Sequence, residues 1–327
     1  MGCKQSKDKE GTEENAAAEG AAEQGAEASG QPKVVVVFGA TGRQGGSVVR
    51  ALHGDATYKV RAVTRDPESE KAKALAEMDN VEVVKADYDD CESLKAAFDG
   101  AYAAYVVTDY LAVMDQEKET QQGKNAVDAA KAAGVKHFIY SGLPSGTEAG
   151  KACRFMDSKA AVEEHLKTEE VPFTILHLPA YYEILLTTNK PIKKDDGSYA
   201  LDFPMGDVAL PMICVSQIGE CVHQILLKED EFKSKTLALA SQELKVDEYA
   251  AILTKGIHCG FVFQLTIDEL AQQEGNPLAE DLAALFANYA SGKLEFNIET
   301  TRSLNPDIMS FESWVEANKE ELEKVLE

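Results

Sequence analysis

Cationic side chains are scarce in this chain. Over 327 residues, 33 lysines and arginines face 56 aspartates and glutamates, a formal net charge of −23. A polyphosphate draws its affinity from clustered cations, so a general nucleic-acid binder is excluded. Long apolar runs are missing too: stretches such as Val34 to Phe38 stop far short of the roughly 20 residues a spanning helix needs. The six cysteines (Cys3, Cys91, Cys153, Cys214, Cys221, Cys259) form no CxxC pair, and no apolar signal-peptide segment stands ahead of them. Reduced thiols in a cytosolic compartment are the expectation. The six histidines (His53, His137, His165, His177, His223, His258) show no HxxxH or HExxH spacing, so no metal site is expected.

The first 32 residues lack something different. Between Lys4 and Lys33 there is no Val, Ile, Leu, Met or aromatic residue, only stretches such as NAAAEGAAEQGAEASGQP. Such a segment cannot bury enough apolar area to offset its ordering entropy, and a disordered tether over 1–32 is expected.

From Val34 the composition supports a core, with 44% of all residues hydrophobic. VVVVF is an unbroken β-branched and aromatic run, as in a parallel strand covered on both faces. It leads into Gly39-Ala40-Thr41-Gly42-Arg43-Gln44-Gly45 and a helix over Ser47 to His53. Strands are predicted at Tyr58–Thr64, Val81–Lys85, Tyr102–Val107, His137–Tyr140 and Phe173–Leu178. Helices are predicted between them at Ser69–Glu77, Glu92–Phe98, Gln116–Ala133 and Ala152–Thr168. Six strands alternating with helices predict an α/β fold, a Rossmann-type doubly wound parallel sheet over 33–180. Beyond Pro179 the alternation decays. A smaller, mainly helical C-terminal subdomain is predicted over 181–327, with helices at Ser216–Lys228, Val246–Lys255, Ile267–Gln272, Leu278–Tyr289 and after Ser310. A short strand at Thr236–Ala240 is a candidate to rejoin the main sheet.

The chemistry begins at the glycine turn. Gly39 permits a tight turn out of the strand, Gly42 removes a Cβ that would meet a phosphate, and Gly45 lets the helix pack close to the sheet. Backbone N–H groups and the positive dipole end then favour a pyrophosphate. At the end of the second strand a ribose 2′-hydroxyl is met by an acid and a 2′-phosphate by a cation. Val63-Thr64-Arg65-Asp66-Pro67 offers Arg65, 20 residues past Gly45, so NADP(H) is expected over NAD(H). Pro67 is expected to turn Asp66 outward.

The stretches VVVVFGATGRQGGSVVRAL, VRAVTRDP, VVKADYDD, GAYAAYVVT, FIYSGL, LPAYYEILL and SFESWVEANK resemble the NmrA-like family, an atypical branch of the short-chain dehydrogenase superfamily. The resemblance runs from about Lys33 to the C-terminus and is nearest to the family's NADP(H)-sensing branch. That branch responds to the cofactor's redox state through conformation, assembly and protein partners. The resemblance implies that Gly39 to Gln44 surround the pyrophosphate and Arg65 the 2′-phosphate. It implies that Thr108, Asp109 and Tyr110 line the nicotinamide side, that Lys159 touches the nicotinamide ribose, and that Tyr181, Tyr182, Glu183 and Ile184 close over the ring. Gln121 and Ile184 depart from the family pattern, standing where it has a lysine and an asparagine, and both remove polar contacts.

Short-chain dehydrogenases use Tyr-x-x-x-Lys, in which the phenol passes a proton to or from the substrate oxygen. Here the spacing ends at Lys159 but begins at Phe155, which has no proton to give. A redox sensor that regulates protein partners is therefore expected, with homodimerisation among its means. The alternative is an active reductase using Lys159, with Tyr110, Tyr181 and Tyr182 as further conceivable proton donors. Cys153 is read as an inert thiol, although Lys151 and Arg154 stand close by in sequence. Met1-Gly2-Cys3-Lys4-Gln5-Ser6 fits a myristoylation pattern on Gly2, with Cys3 placed for palmitoylation. One acyl chain holds a membrane only marginally and two hold it stably. A cytoplasmic protein attached to the cytosolic leaflet is the expectation.

Overall fold

The computed structural model describes residues 30–263 and 265–327. Residues 1–29 of the predicted tether, with its acylation sites Gly2 and Cys3, lie outside the described residues.

Seven parallel strands form the central sheet. In chain order they are β1 (Lys33–Val37), β2 (Tyr58–Thr64), β3 (Val81–Lys85), β4 (Ala103–Val107), β5 (His137–Gly142), β6 (Phe173–His177) and β7 (Lys235–Ala238). Their spatial order is β7-β6-β5-β4-β1-β2-β3. The valines of β1 show why it lies inside. Val35 and Val37 enter one apolar cluster, with Val48, Val49, Leu52, Ile218, Val222 and Ile225. Val36 and Phe38 enter the opposite one, with Leu94, Phe98, Ala126, Ala130 and Val162. Successive side chains of a strand point to opposite faces, so an uninterrupted apolar run is stable only between two helical layers. Each buried Val or Leu there contributes about 1.5–3 kcal/mol.

One layer comprises α1 (Arg43–Leu52) and, from much later in the chain, the helix Ile218–Leu227. The other comprises α3 (Cys91–Phe98), α4 (Gln116–Ala132) and α5 (Arg154–Thr168); α2 (Glu70–Ala76) lies between β2 and β3. The helix after β1 starts four residues earlier than the predicted Ser47, because its glycines sit inside the first turn. Their poor helix propensity is overridden by contact with the turn beneath. Lys235–Ala238 pairs with β6 from Thr174 to His177, so this strand of the C-terminal part belongs to the main sheet.

The remainder of the C-terminal part is mainly helical, as expected, but it also contains strands that the sequence did not reveal. It holds two three-stranded sheets. One orders Gln242–Leu244, Leu210–Ile213 and Ala180–Tyr181; the other orders Phe261–Phe263, Tyr199–Leu201 and Ile192–Lys193. Strands of two to four residues leave no readable periodicity. Around them a third core gathers Tyr182, Phe203, Tyr249, Leu253, Phe286, Phe311 and Trp314. Ser310 caps the helix Phe311–Ala317 through the Ser313 N–H, as its residue type predicts. That helix is followed by a second one, Lys319–Leu326, after a break at Asn318.

Candidate functional site

The strand order reverses at β1: the chain builds outward through β2 and β3, then resumes on the other side with β4. The loops leaving these strand ends diverge and open a crevice, the ligand position of open α/β sheets. Gly39 follows β1 at φ +62°, and a Cβ there would stand 2.9 Å from Val107 Cγ1. A Cβ on Gly45 would fall within 2.5 Å of the Gly39 carbonyl carbon, so the first turn of α1 rests directly on the turn beneath it. Gly42 is the N-cap and offers no side chain to the first-turn amides, which leaves them for an anion. Ala40 behaves differently from the rest of the motif. Its methyl group is buried, and its N–H donates to the Val63 carbonyl at 3.3 Å, pinning the turn to β2.

The crevice has two halves. The first, about 430 Å³, is walled by Gly39, Thr41, Gly42, Thr64, Arg65, Asp66, Ser69, Lys71, Asp87, Tyr88 and Asp109, among others. Arg65 is exposed on this wall and has no hydrogen-bond or ion-pair partner among the described residues. Asp66 borders the same space, and its carboxylate accepts the Glu68 N–H at 3.0 Å and is held in its own turn. Lys71 is a second cation on this wall, and motif reading missed it. Its only signal is a position six residues past Arg65 on the helix that follows. Asp109 lines this half rather than the nicotinamide side, because it leaves β4 towards Ala112 and Val113. Tyr88 floors it, stacked on Phe38 with centroids 5.0 Å apart. Two exposed cations with no protein partner among the described residues, beside a glycine turn, fit a phosphorylated dinucleotide.

The second half is a chamber of about 170 Å³ lined by Gln44, Ser141, Leu143, Phe155, Lys159, Leu178, Ala180, Tyr181, Leu285 and Tyr289. Lys159 projects from α5, and all three of its N–H bonds are committed. It donates to the Thr108 carbonyl at 3.0 Å, to Thr108 Oγ1 at 2.9 Å and to the fully buried Glu119 carboxylate. Ser158 also donates to Glu119. Lys159 is thus an anchored cation at the chamber edge, not a free amine in an apolar pocket. Thr108 serves as its holder.

The three tyrosines named as proton donors part company here. Tyr110 is buried against Phe155, ring centroids 6.0 Å apart, and lines neither half of the crevice. Its hydroxyl has no hydrogen-bond partner, and burial raises its pKa. Tyr182 points into the third core, between Phe311 and Trp314, with its hydroxyl 3.4 Å from Gln242 Oε1. Only Tyr181 lines the chamber; burial pushes its pKa up to about 12 and keeps it protonated. Its hydroxyl oxygen accepts from Gln44 Nε2, and Gln44 Oε1 accepts from Tyr105 at 2.6 Å.

Glu183 also turns away from the crevice, accepting the Val215 and Ser216 N–H groups at 3.0 and 2.9 Å. Ile184 lies farther out, in the wall of an adjoining 350 Å³ cavity. Arg43 reaches over the turn to donate to Thr187 Oγ1 at 2.6 Å. The Gln121 amide is given to Asn125 at 2.8 Å. Cys153 is buried beneath the Asp281 carbonyl, and burial pushes its thiol up to about 12.

Away from the crevice, Asp128, His165 and Glu169 place one potential ligand atom each within 4.8 Å of one another. They come from two helices, so sequence spacing could not reveal them. His165 bonds Asp128 at 2.7 Å and Lys131 already pairs with Glu169 at 2.8 Å, which makes the group an ion-pair cluster between α4 and α5.

Comparisons place this geometry among known proteins. The model of the NmrA-like family matches residues 31–315. An NmrA-like family domain-containing protein of Dictyostelium discoideum is 30% identical over 81% of this chain and 90% of its own length. The NmrA-like family domain-containing oxidoreductase malD of Malbranchea aurantiaca is 33% identical over 66% of this chain and 70% of its own. Among solved structures, NmrA, a negative transcriptional regulator crystallised in complex with NADP, has a TM-score of 0.75 at 22% identity, covering 88% of this chain and 95% of that one. Triphenylmethane reductase of Citrobacter sp., complexed with NADP(H), has a TM-score of 0.71 at 25% identity, covering 87% and 99%. These agree with the Rossmann-type architecture. The chain belongs to the NmrA-like family.

Proposed function

We propose that the protein binds NADP(H) and acts as a redox sensor that regulates protein partners, rather than as a robust oxidoreductase. The carrying observation is a crevice equipped for a phosphorylated dinucleotide that has Phe155 where the acid/base phenol belongs, beside a Lys159 whose N–H bonds are all taken. Bound NADPH would offer a hydride; the residues around it are arranged to hold it. Gly39, Thr41, Gly42 and the first turn of α1 would receive the pyrophosphate, and Arg65 and Lys71 the 2′-phosphate. Thermal unfolding with the four nicotinamide dinucleotides tests this reading. NADPH and NADP⁺ should raise the Tm more than NADH and NAD⁺, and no rise with any of them would overturn it. Sensing would show as a change of assembly or of captured partners when NADPH is exchanged for NADP⁺.

The second reading, an NADPH-dependent reductase using Lys159, is favoured by the names of the relatives, several of which are oxidoreductases. It expects substrate-dependent loss of NADPH absorbance that vanishes in Lys159→Ala. The tail reading belongs here as well: acyl groups on Gly2 and Cys3 would hold the protein at the cytosolic leaflet. Labelling with a myristate analogue should be strong in the wild type and absent in Gly2→Ala. An unlabelled wild type ends that part of the proposal.

A further inference from the structure

The 350 Å³ cavity beyond Ile184 is bordered by a single acidic residue among the described ones. Asp202 follows the short strand Tyr199–Leu201. Its backbone carbonyl accepts the Asn189 amide at 3.4 Å, whereas its carboxylate has no hydrogen-bond or ion-pair partner among the described residues. Partial burial raises its pKa, and no neighbouring cation or donor brings it back down. Lys190, the cation on the cavity wall, is exposed and does not pair with it.

Much of the surrounding wall is apolar or aromatic, from Ile184, Leu270, Leu282, Leu285, Phe286 and Tyr289. Ile184 stands where the family pattern has an asparagine, so this chain adds an aliphatic side chain where an amide is the rule. The amide of Asn276 is engaged: it donates to Gln273 Oε1 at 3.0 Å and accepts the Leu278 N–H at 3.0 Å. An unpaired carboxylate beside such walls gains most from a ligand that joins a cation to an apolar body. The cation makes charge-assisted bonds to the carboxylate oxygens and is attracted to aromatic faces, while the body displaces water from the walls. An uncharged or anionic apolar molecule leaves the carboxylate unpaired.

We propose that this cavity is a binding site for lipophilic ammonium compounds, amines carried on an apolar or aromatic skeleton, with Asp202 as the anionic anchor. The cavity touches the inner end of the crevice through Tyr181 and Tyr289 but includes neither Lys159 nor Phe155. The proposal goes beyond the dinucleotide reading and does not depend on it, because binding requires neither cofactor nor turnover.

The test compares phenethylamine, a cation at neutral pH, with phenethyl alcohol, which keeps the skeleton without the charge. Calorimetry on the full chain is run at about 0.15 M salt, which screens the long-range pull of an acidic surface on any cation. The wild type should prefer the amine by about tenfold or more, and Asp202→Asn should reduce that preference to about twofold while leaving the alcohol's affinity unchanged. Ethylamine, the cation without the ring, should bind about tenfold more weakly than phenethylamine. Ile184→Asn provides an independent variant: it should weaken both phenethyl ligands and preserve their ratio. Equal binding of amine and alcohol by the wild type, an undiminished preference in Asp202→Asn, ethylamine binding as well as phenethylamine, or unchanged affinities in Ile184→Asn would each overturn the proposal. Failure of the dinucleotide reading would show separately, as a Tm that ignores NADPH and NADP⁺.

Discussion

Arg65 stands at the end of β2 with nothing to hold it, and that idleness is its main evidence of function. Arg65→Ala should weaken NADPH binding about tenfold or more while barely changing NADH, measured by titration calorimetry. Equal losses for the two would place the guanidinium elsewhere. Lys71→Ala should weaken NADPH in the same direction. A different residue governs pH dependence. His137 is fully buried at the start of β5; its Nε2 lies 2.7 Å from Thr174 Oγ1, which itself donates to the Phe232 carbonyl, and Nδ1 has no partner. Burial lowers its pKa from 6.5 to about 4. Between those values the unfolded chain carries the proton and the folded one does not, so stability falls as pH falls through this window and the loss levels off below about 4. The cost is about 3 kcal/mol in full. Denaturant titrations of the wild type and His137→Gln from neutral pH to about pH 4 should diverge by that order; parallel curves would exclude His137.

At the scale of elements, α1 is held down by the absence of side chains. Gly45→Ala would drive a methyl group into backbone atoms of the Gly39 turn, costing about 1–3 kcal/mol and shifting the helix end that receives the pyrophosphate. Both the Tm and dinucleotide binding should drop; a Tm unchanged within error would mean that the turn yields. The start of α5 is tied to the helix Ala279–Ala290 by buried Asp281, which accepts Arg154 N and Nε at 2.8 Å and Nη2 at 2.7 Å. Asp281→Ala should cost about 1–2 kcal/mol, at the low end because Arg154 is half exposed and regains water. Elements with strong local signals were readable from sequence: the valine run of β1, the glycine turn, the alternation through β6 and the Ser310 cap. The two small sheets were not, since two or three residues per strand carry no period and their pairing is set by long-range contacts. The residues that the resemblance grouped as closing over the ring separate for the same reason. Tyr181, Tyr182 and Glu183 are consecutive in sequence, yet the short strand sends them to the crevice, to the third core and to the backbone N–H groups at 215–216 respectively.

Most of the chain's net charge of −23 lies on the described residues, since residues 1–29 hold three lysines against seven acids. Among the described residues only Tyr110, His137 and Glu229 have a buried side-chain nitrogen or oxygen without a hydrogen-bond partner. Self-repulsion on that surface should make stability rise with salt, since a Debye length of about 10 Å at 0.1 M screens charges spread over a larger face. A Tm that is flat between low and moderate salt would show that acid–base pairing already offsets the excess. The third core, meanwhile, contains the chain's sole tryptophan: Trp314 lies 5.7 Å from Tyr182, whose peptide neighbour Tyr181 forms a wall of the crevice. An indole so placed is a natural optical gauge. Its emission can report, without any attached dye, whether an occupant of the crevice disturbs the layer behind it.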